Sequence, residues 1–137
     1  MNFIYRYEGE YNRGQYEGFG ECWFDGGGHY KGMFSQGMMH GEGVFTWKNG
    51  LIYEGELLHN AITGKGMYTW PDGSTYDGEV QNGLRHGFGT FNDKEGKKSY
   101  TGEWTHGRRN GKVSSGGDSN KLRSKACLRT ELAITLS

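Results

Sequence analysis

Four short motifs of this sequence place two glycines one residue apart, as at the start of a dinucleotide-binding loop. They are Gly18/Gly20, Gly41/Gly43, Gly64/Gly66 and Gly87/Gly89. A dinucleotide loop also needs a third glycine before a helix, because the phosphates bind at the helix N terminus. None of the four motifs has that third glycine in place. We therefore expect the glycine pairs to be structural, and we predict no nucleotide and no other cofactor.

The histidines could bind a metal or transfer protons near neutral pH. His40 and His86 each precede a glycine pair, whereas His29, His59 and His106 occupy unrelated positions and form no ligand pattern. If four adjacent strands separate His40 from His86, the two lie about 19 Å apart at ~4.8 Å per strand. That is too far to share a metal with ligands at ~2 Å. We predict no metal site, and a turn-forming or hydrogen-bonding role for His40 and His86.

Carboxylates recur in pairs with one residue between them, which could provide a general acid and a general base. The pairs are Glu8/Glu10, Glu54/Glu56 and Asp77/Glu79. The chain has no GxSxG, HExxH, CxxC or P-loop motif to accompany them. We therefore expect these pairs to form a solvated acidic face, and we predict that the chain is not an enzyme.

These motifs recur because the chain repeats about every 23 residues. Each unit begins with a tyrosine and has a glycine two residues later, and the first four units continue to a glycine pair, whereas Gly111 of the fifth has Val113 in place of its mate. The tyrosines and their glycines are Tyr7/Gly9, Tyr30/Gly32, Tyr53/Gly55, Tyr76/Gly78 and Tyr100/Gly102. The last interval is one residue longer, and the extra residue falls between Gly96 and Tyr100, where a turn tolerates insertion. An internal repeat of this kind determines the architecture.

Within a unit the residue pattern has a period of two, which is typical of strands. Tyr53, Gly55 and Leu57 share one face, and Glu54 and Glu56 point the other way. Turn dipeptides such as Asn-Gly and Asp-Gly separate such segments. We predict an all-β fold, an elongated single antiparallel sheet of β-hairpins with about four and a half repeats.

Composition indicates how such a sheet is stabilised. The 137 residues include 26 glycines, 9 tyrosines, 7 phenylalanines and 4 tryptophans, but only one proline, and the net charge is zero. Glycine weakens a strand unless something packs closely against it. Aromatic rings can lie across the bare backbone of glycines on neighbouring strands. We expect that arrangement here, with stability accumulating over several repeats because a single hairpin is marginal.

The 23-residue pattern resembles the MORN (membrane occupation and recognition nexus) repeat over residues 7 to 111. The segment YEGELLHNAITGKGMYTWPDGSTYDGEVQNGLRHGFGTF carries the resemblance, with the family's HG step at His40-Gly41 and His86-Gly87. Glu17-Gly18, Thr63-Gly64 and Asn110-Gly111 replace HG, and Asn60 stands where the other units have glycine. The resemblance implies a non-enzymatic scaffold that binds other proteins.

A narrower resemblance comes from the second unit followed by the irregular third unit. YKGMFSQGMMHGEGVFTWKNG is similar to the N-terminal arrays of the radial spoke head 10 proteins of motile cilia. This resemblance implies a cytoskeletal location in the axoneme of a cilium or flagellum, with radial spoke or other axonemal proteins as partners.

The distribution of charge bears on two further kinds of partner, nucleic acids and membranes. Residues 1–107 hold 9 Lys/Arg and 14 Asp/Glu, whereas residues 108–137 hold 7 and 2. An acidic array repels phosphates, so we predict no nucleic acid partner. Membrane contact is expected to be weak for the same reason, although a peripheral phospholipid-binding module remains the alternative function. The start lacks a secretory signal, so we predict a cytoplasmic protein with Cys22 and Cys127 as free thiols.

The repeat pattern ends before the chain does. All the aromatic residues lie at or before Trp104, and no trace of the period follows Val113. We predict a repeat array over residues 1–112 and a basic tail over 113–137, either disordered or with a short helix from about Asn120 to Leu136. We expect the fifth hairpin to lose its second strand, as in a shortened product of a longer array.

Overall fold

The computed structural model describes residues 3–110, which form one open antiparallel sheet of ten strands in chain order. The strands are β1 Ile4–Asn12, β2 Gln15–Phe24, β3 His29–Ser35, β4 Met38–Thr46, β5 Ile52–Leu58, β6 Ala61–Thr69, β7 Thr75–Gln81, β8 Leu84–Asn92, β9 Ser99–Thr105 and β10 Arg108–Asn110. This confirms the predicted all-β hairpin array. None of these elements is a helix, so this part of the chain has no apolar helix of membrane-spanning length.

One glycine from each of the first nine strands lies in a single row across the sheet. In every neighbouring pair of strands from β1 to β9, two of these glycines are direct partners. This glycine row consists of Gly9, Gly20, Gly32, Gly43, Gly55, Gly66, Gly78, Gly89 and Gly102. A bare strip of backbone therefore crosses the middle of the sheet.

The five tyrosines that begin the repeats cover the glycine row on one side, termed here the inner face. Each hydroxyl donates a hydrogen bond of 2.6–2.9 Å to the carbonyl three residues further on, so each ring lies along its own strand. Tyr30, Tyr53, Tyr76 and Tyr100 are fully buried. A β-carbon on Gly20, Gly43, Gly66 or Gly89 would come within 3.0 Å of the tyrosine ring of the preceding strand. Only glycine leaves room for these rings.

The apolar core is a single layer of side chains on the inner face. The large residue four positions after each tyrosine packs there, and Phe34 and Leu57 are 2% and 3% exposed. Tyr11 holds the same position in β1 but is 59% exposed, because β1 is the edge strand of the described sheet. The inner-face side chain at this position is therefore covered by the repeat before it.

A β-bulge occupies the HG step of every complete repeat. In the third hairpin Gly55 pairs with Gly66 and Leu57 with Ile62, so Glu56 alone opposes Thr63, Gly64 and Lys65. Gly64 has a φ of 121°, a conformation that favours glycine. The alternation of residues predicted regular strands, and the bulge was not predicted.

Two details of the hairpin array concern the sequence predictions directly. The turn that follows β8 contains the extra residue. The Asp93 N–H donates to the carbonyl of Lys98, five residues later, whereas in the turn after β6 the Trp70 N–H donates to the carbonyl of Ser74, four residues later. The expectation that the fifth hairpin loses its second strand was wrong for Arg108–Asn110, which pair with β9 as β10. The predicted tail, residues 113–137, lies outside the described residues and stays a prediction, as does the boundary at residue 112.

Candidate interaction surfaces

The inner face holds the titratable groups that are most deeply buried. Cys22 is fully buried, and burial raises the pKa of its thiol to about 12. Burial also raises the pKa of the Tyr30, Tyr53, Tyr68 and Tyr76 hydroxyls well above the ordinary value. These groups are protonated at neutral pH, and a protonated buried thiol is a poor nucleophile. Their role is to fill the core rather than to react.

A second surface is the turn rim, where the two-residue turns inside the hairpins line up. Both central residues of each turn have positive φ, as in type I′ turns. The turns are Arg13-Gly14, Gln36-Gly37, His59-Asn60, Asn82-Gly83 and His106-Gly107. Asn60 replaces glycine with a φ of 70°, which asparagine tolerates better than most residues. Its Oδ1 also accepts a hydrogen bond of 2.8 Å from the Met39 N–H.

The turn rim brings four histidines together in two pairs. His40 lies beside His59 with ring centroids 4.9 Å apart, and His86 lies beside His106 at 5.5 Å. In each pair the Nδ1 of the first ring accepts the backbone N–H of the second residue, at 3.3 and 3.5 Å. The predicted hydrogen-bonding role of His40 and His86 is confirmed. The expectation that His59 and His106 occupy unrelated positions was wrong, because each lies six residues after the tyrosine of its repeat.

Other residue types perform the same task in the other repeats. Glu17 Oε1 accepts the N–H of Gln36 at 3.1 Å, and Thr63 Oγ1 accepts the N–H of Asn82 at 3.1 Å. The position before the bulge glycine therefore requires an acceptor and not histidine specifically. This explains why Glu17-Gly18 and Thr63-Gly64 can replace HG without loss of the contact.

A backbone hydrogen bond joins each turn after the first to the preceding hairpin as well. The N–H of the second turn residue donates to a carbonyl at the start of the previous second strand, as Gly37 does to Tyr16 at 3.0 Å and Gly83 to Ile62 at 2.8 Å. Together with the side-chain acceptor, this makes two hydrogen bonds per turn. The turn rim is consequently a rigid part of the sheet.

The third surface is the outer face, whose side chains alternate with the glycine row and point away from the tyrosines. Carboxylates outnumber lysine and arginine on it by ten to four. The carboxylates are those of Glu8, Glu10, Glu17, Glu21, Glu42, Glu54, Glu56, Asp77, Glu79 and Glu103, and the cations are Arg6, Lys31, Lys65 and Arg108. Within residues 3–110 the ion pairs on this face are Arg6–Glu8 and His29–Glu21. Most of its negative charge is therefore uncompensated in this part of the chain.

The predicted carboxylate pairs lie on the outer face, but their members differ in role. All six carboxylates are exposed. The Oε1 atoms of Glu56 and Glu79 reach across the bulges and accept the N–H groups of Lys65 and Phe88, at 3.0 and 2.7 Å. These two carboxylates thus satisfy backbone donors that the bulges leave outside the strand ladder.

Large apolar side chains stand exposed among these charges. Phe19 is 49% exposed, Met33 41% and Phe88 59%, and Phe19 and Met33 are direct partners across β2 and β3. An open depression of about 330 Å³ lies between Phe19 and Glu54, and Gly32, Gly43 and Gly55 are among the residues that line it. Exposed apolar surface rimmed by charge is typical of sites that contact other macromolecules.

The described surfaces are open rather than enclosed. Among residues 3–110 no three His, Cys, Asp or Glu side chains come together in a group that could hold a metal ion. The depressions are shallow and open, whereas small-molecule sites are deep enough to bury most of a ligand. The outer face instead has the apolar anchors and charge that suit a protein segment.

Sequence reasoning missed the pairing of histidines at the turn rim, the bulges and the burial of Arg85. Arg85 is fully buried, with its guanidinium 4.8 Å from the Trp104 ring centroid and 5.4 Å from that of Trp70. It lies nine residues after its tyrosine, where the first three repeats have Tyr16, Met39 and Ile62 and the fifth has Arg109. Comparing residues by their distance from the tyrosine would have revealed both the histidine pairs and this inner-face position.

Comparison with known families matches five segments of the chain to the MORN repeat, residues 7–29, 30–52, 53–75, 76–97 and 100–112. Each segment begins at one of the five tyrosines. MORN repeats are modules that interact with proteins or membrane lipids and do not constitute an enzyme family. No curated protein matches the chain in sequence.

Proposed function

Because this chain belongs to the MORN repeat family, we propose that it is a non-enzymatic scaffold that binds other proteins through the outer face of its sheet. One observation carries the proposal, namely the exposure of Phe19, Met33 and Phe88 among uncompensated carboxylates. Aromatic and methionine side chains are enriched where proteins meet, and charge around them selects the partner. A partner that offers basic and apolar side chains fits this face.

The rigidity of the sheet supports a scaffolding role. The tyrosine rings pack directly on the glycine row, and two hydrogen bonds hold each turn after the first on the preceding hairpin. A surface that is already ordered loses little conformational entropy when a partner binds. The array thus presents its face in a fixed shape along the whole series of repeats.

We further propose that the protein acts in the radial spokes of a ciliary or flagellar axoneme, as part of the cytoskeleton. The support for this location is the resemblance of the second unit to radial spoke head arrays. Its partners would then be radial spoke or other axonemal proteins.

Localisation in multiciliated cells tests both levels of the proposal. Tagged wild-type protein should be found in the axoneme, and a Phe19→Ser, Phe88→Ser variant should be lost from it. Tyr11→Ser is the matched control, since Tyr11 is as exposed as Phe88, at 59%, but belongs to the inner-face side of β1. Absence of the wild-type protein from the axoneme would refute the location. Equal retention of both variants would refute the use of the outer face.

A peripheral phospholipid-binding module is the alternative, since MORN repeats also contact membrane lipids. The outer face argues against it, because anionic headgroups attract polybasic surfaces rather than acidic ones. Flotation with phosphatidylserine vesicles separates the two functions. A scaffold should float weakly at physiological salt, and only through the basic residues beyond the array. Strong flotation that survives Lys121→Glu, Arg123→Glu and Lys125→Glu would establish the lipid function instead.

A further inference from the structure

We propose that residues 119–137 of this chain dock on its own outer face, over strands β7–β9 around Phe88. This goes beyond the proposed scaffold function, because it describes an occupant of the face that the chain itself supplies. The docking holds whether or not the face also receives another protein.

Charge complementarity is the first argument. The outer side of β7, β8 and β9 carries the carboxylates of Asp77, Glu79 and Glu103. The described residues of these three strands place no lysine or arginine on that side. Residues 119–137 contain Lys121, Arg123, Lys125 and Arg129 against a single carboxylate, that of Glu131. The two surfaces have opposite charge.

Exposed apolar residues on the outer face and in residues 119–137 are the second argument. Phe88 is the most exposed of the large apolar residues on the outer face, at 59%, and it lies between the carboxylates of β7 and β9. The segment interleaves its basic residues with leucine and isoleucine, in the order Leu122, Leu128, Leu132, Ile134 and Leu136. A segment that combines both kinds of side chain can cover the ring while its cations reach the acids.

The chain also leaves the array at the right place. β10 pairs with β9 and ends at Asn110, so residue 111 begins beside this part of the sheet. Ten residues reach up to roughly 33 Å when extended, whereas β10 and β7 are separated by three strand spacings, about 14 Å. The connection contains Gly111, Ser114, Ser115, Gly116 and Gly117, residue types that are common in linkers. A short connection keeps the segment at a high effective concentration over the face.

A spin label on Cys127 tests the docking in the full-length chain. Cys22 is fully buried with a protonated thiol, so a thiol-reactive nitroxide at neutral pH labels Cys127, and a Cys22→Ala variant controls for residual labelling. Backbone amide signals of Phe88, Thr90 and Glu103 should lose most of their intensity through paramagnetic broadening. Signals of Phe19, six strands further away than Phe88 in the sheet, should stay sharp.

Charge reversal then distinguishes docking from chance proximity. Lys121→Glu, Arg123→Glu and Lys125→Glu in one chain should abolish the broadening, and Asp77→Lys with Glu103→Lys should do the same. The two sets combined should restore it, since the charges are again opposite. Molar salt, which shortens the Debye length to ~3 Å, should weaken the broadening in the wild type.

Three outcomes would overturn the proposal. One is wild-type broadening that is absent from β7–β9, and another is broadening that neither charge-reversed variant changes. The third comes from a mixture of two kinds of chain. One kind carries the spin label but no isotope, and the other is enriched in nitrogen-15 but carries no spin label. Broadening in that mixture would place the segment on a second copy. None of these outcomes depends on axonemal localisation, so the proposed function can fail or succeed independently.

Discussion

The ring of Tyr53 on β5 lies over Gly66 on β6 so closely that a β-carbon on Gly66 would come within 3.0 Å of the ring and its hydroxyl. The nearest atoms to that β-carbon all belong to the Tyr53 side chain. For Gly55, the direct partner of Gly66, the nearest atoms include the Gly66 Cα and the Lys65 carbonyl oxygen. The two glycines of one pair are therefore constrained by different neighbours, one by a ring and the other mainly by backbone.

Gly66→Ala should destabilise the array by about 1–3 kcal/mol, the usual range for overpacking a well-packed site. The methyl group would overlap the Tyr53 ring, which its own hydrogen bond to the Glu56 carbonyl holds in place. Urea unfolding followed by circular dichroism measures the loss. In a Tyr53→Leu background the same substitution should cost much less, because leucine vacates the position of the hydroxyl.

Gly55→Ala is the matched control for that cycle. Its β-carbon would meet backbone atoms, which Tyr53→Leu does not remove. The substitution should therefore be costly in both backgrounds. Equal costs of Gly66→Ala in the two backgrounds would show that the Tyr53 ring is not what requires glycine there.

His40→Thr should retain most of the stability that His40→Ala loses. Alanine removes the acceptor for the His59 N–H, which costs about 0.5–1.5 kcal/mol for one hydrogen bond. Threonine supplies a hydroxyl acceptor, as Thr63 does for Asn82 in the next repeat. Denaturant midpoints of the three proteins give the comparison. Identical midpoints for His40→Ala and wild type would mean that this bond contributes nothing.

Two substitutions of Asn60 separate the contribution of its hydrogen bond from that of its positive φ. Asn60→Gly keeps the positive φ but loses the 2.8 Å bond to the Met39 N–H, whereas Asn60→Ala loses the bond and must also adopt a φ near 70°. The left-handed conformation costs roughly 1–2 kcal/mol for a residue with a β-carbon. Alanine should therefore be the less stable variant by about that amount in thermal or urea unfolding. Asn60→Ala as stable as Asn60→Gly would contradict a strained turn.

The buried Cys22 thiol makes stability depend on alkaline pH. Its pKa is raised from 9.0 to about 12 in the folded protein, so folding favours the protonated thiol. This contribution is fully present below about pH 9 and is lost as the pH rises towards 12. The buried tyrosines, whose pKa values are also raised by burial, add a further loss that begins above their ordinary value of 10.0.

Urea midpoints measured across this range should fall steadily from about pH 9. A Cys22→Ala variant should lose the first part of that fall, so that its decline starts with the tyrosines. Tyrosinate absorbance should rise together with the loss of circular dichroism. Full ionisation of every tyrosine in a protein that keeps its native spectrum would contradict the burial of these rings.

Much of the sheet could be read from the residues in advance, and the limits are physical. Alternation around Tyr53 and Gly55 predicted strands and their faces, because side-chain direction in a strand depends on sequence spacing alone. The bulge at Gly64 was not predicted. Glycine recurs throughout the pattern, and its residue type does not show whether it lies in a bulge or in a regular strand. The tail beyond residue 112 has no periodic pattern from which to predict a structure.

The candidate surface shows the same division. The acidic face followed from the positions of residues such as Glu54 and Asp77, but the structural role of Glu56 and Glu79 did not. Those bonds exist only because the bulges leave two N–H groups outside the ladder. Likewise Phe19 and Phe88 become notable only when the sheet leaves them exposed on its outer face.

The sequence by itself determined the hairpins, their order and which side chains share a face, because turn residues and two-residue alternation act over a few neighbouring positions. Only the tertiary structure decided which residues of different strands meet. The alignment of the glycine row, the Tyr53 ring over Gly66 and the pairing of His40 with His59 all depend on strand register. Register is set jointly by the bulges, the turns and the packing of rings, and no single stretch of sequence contains that information.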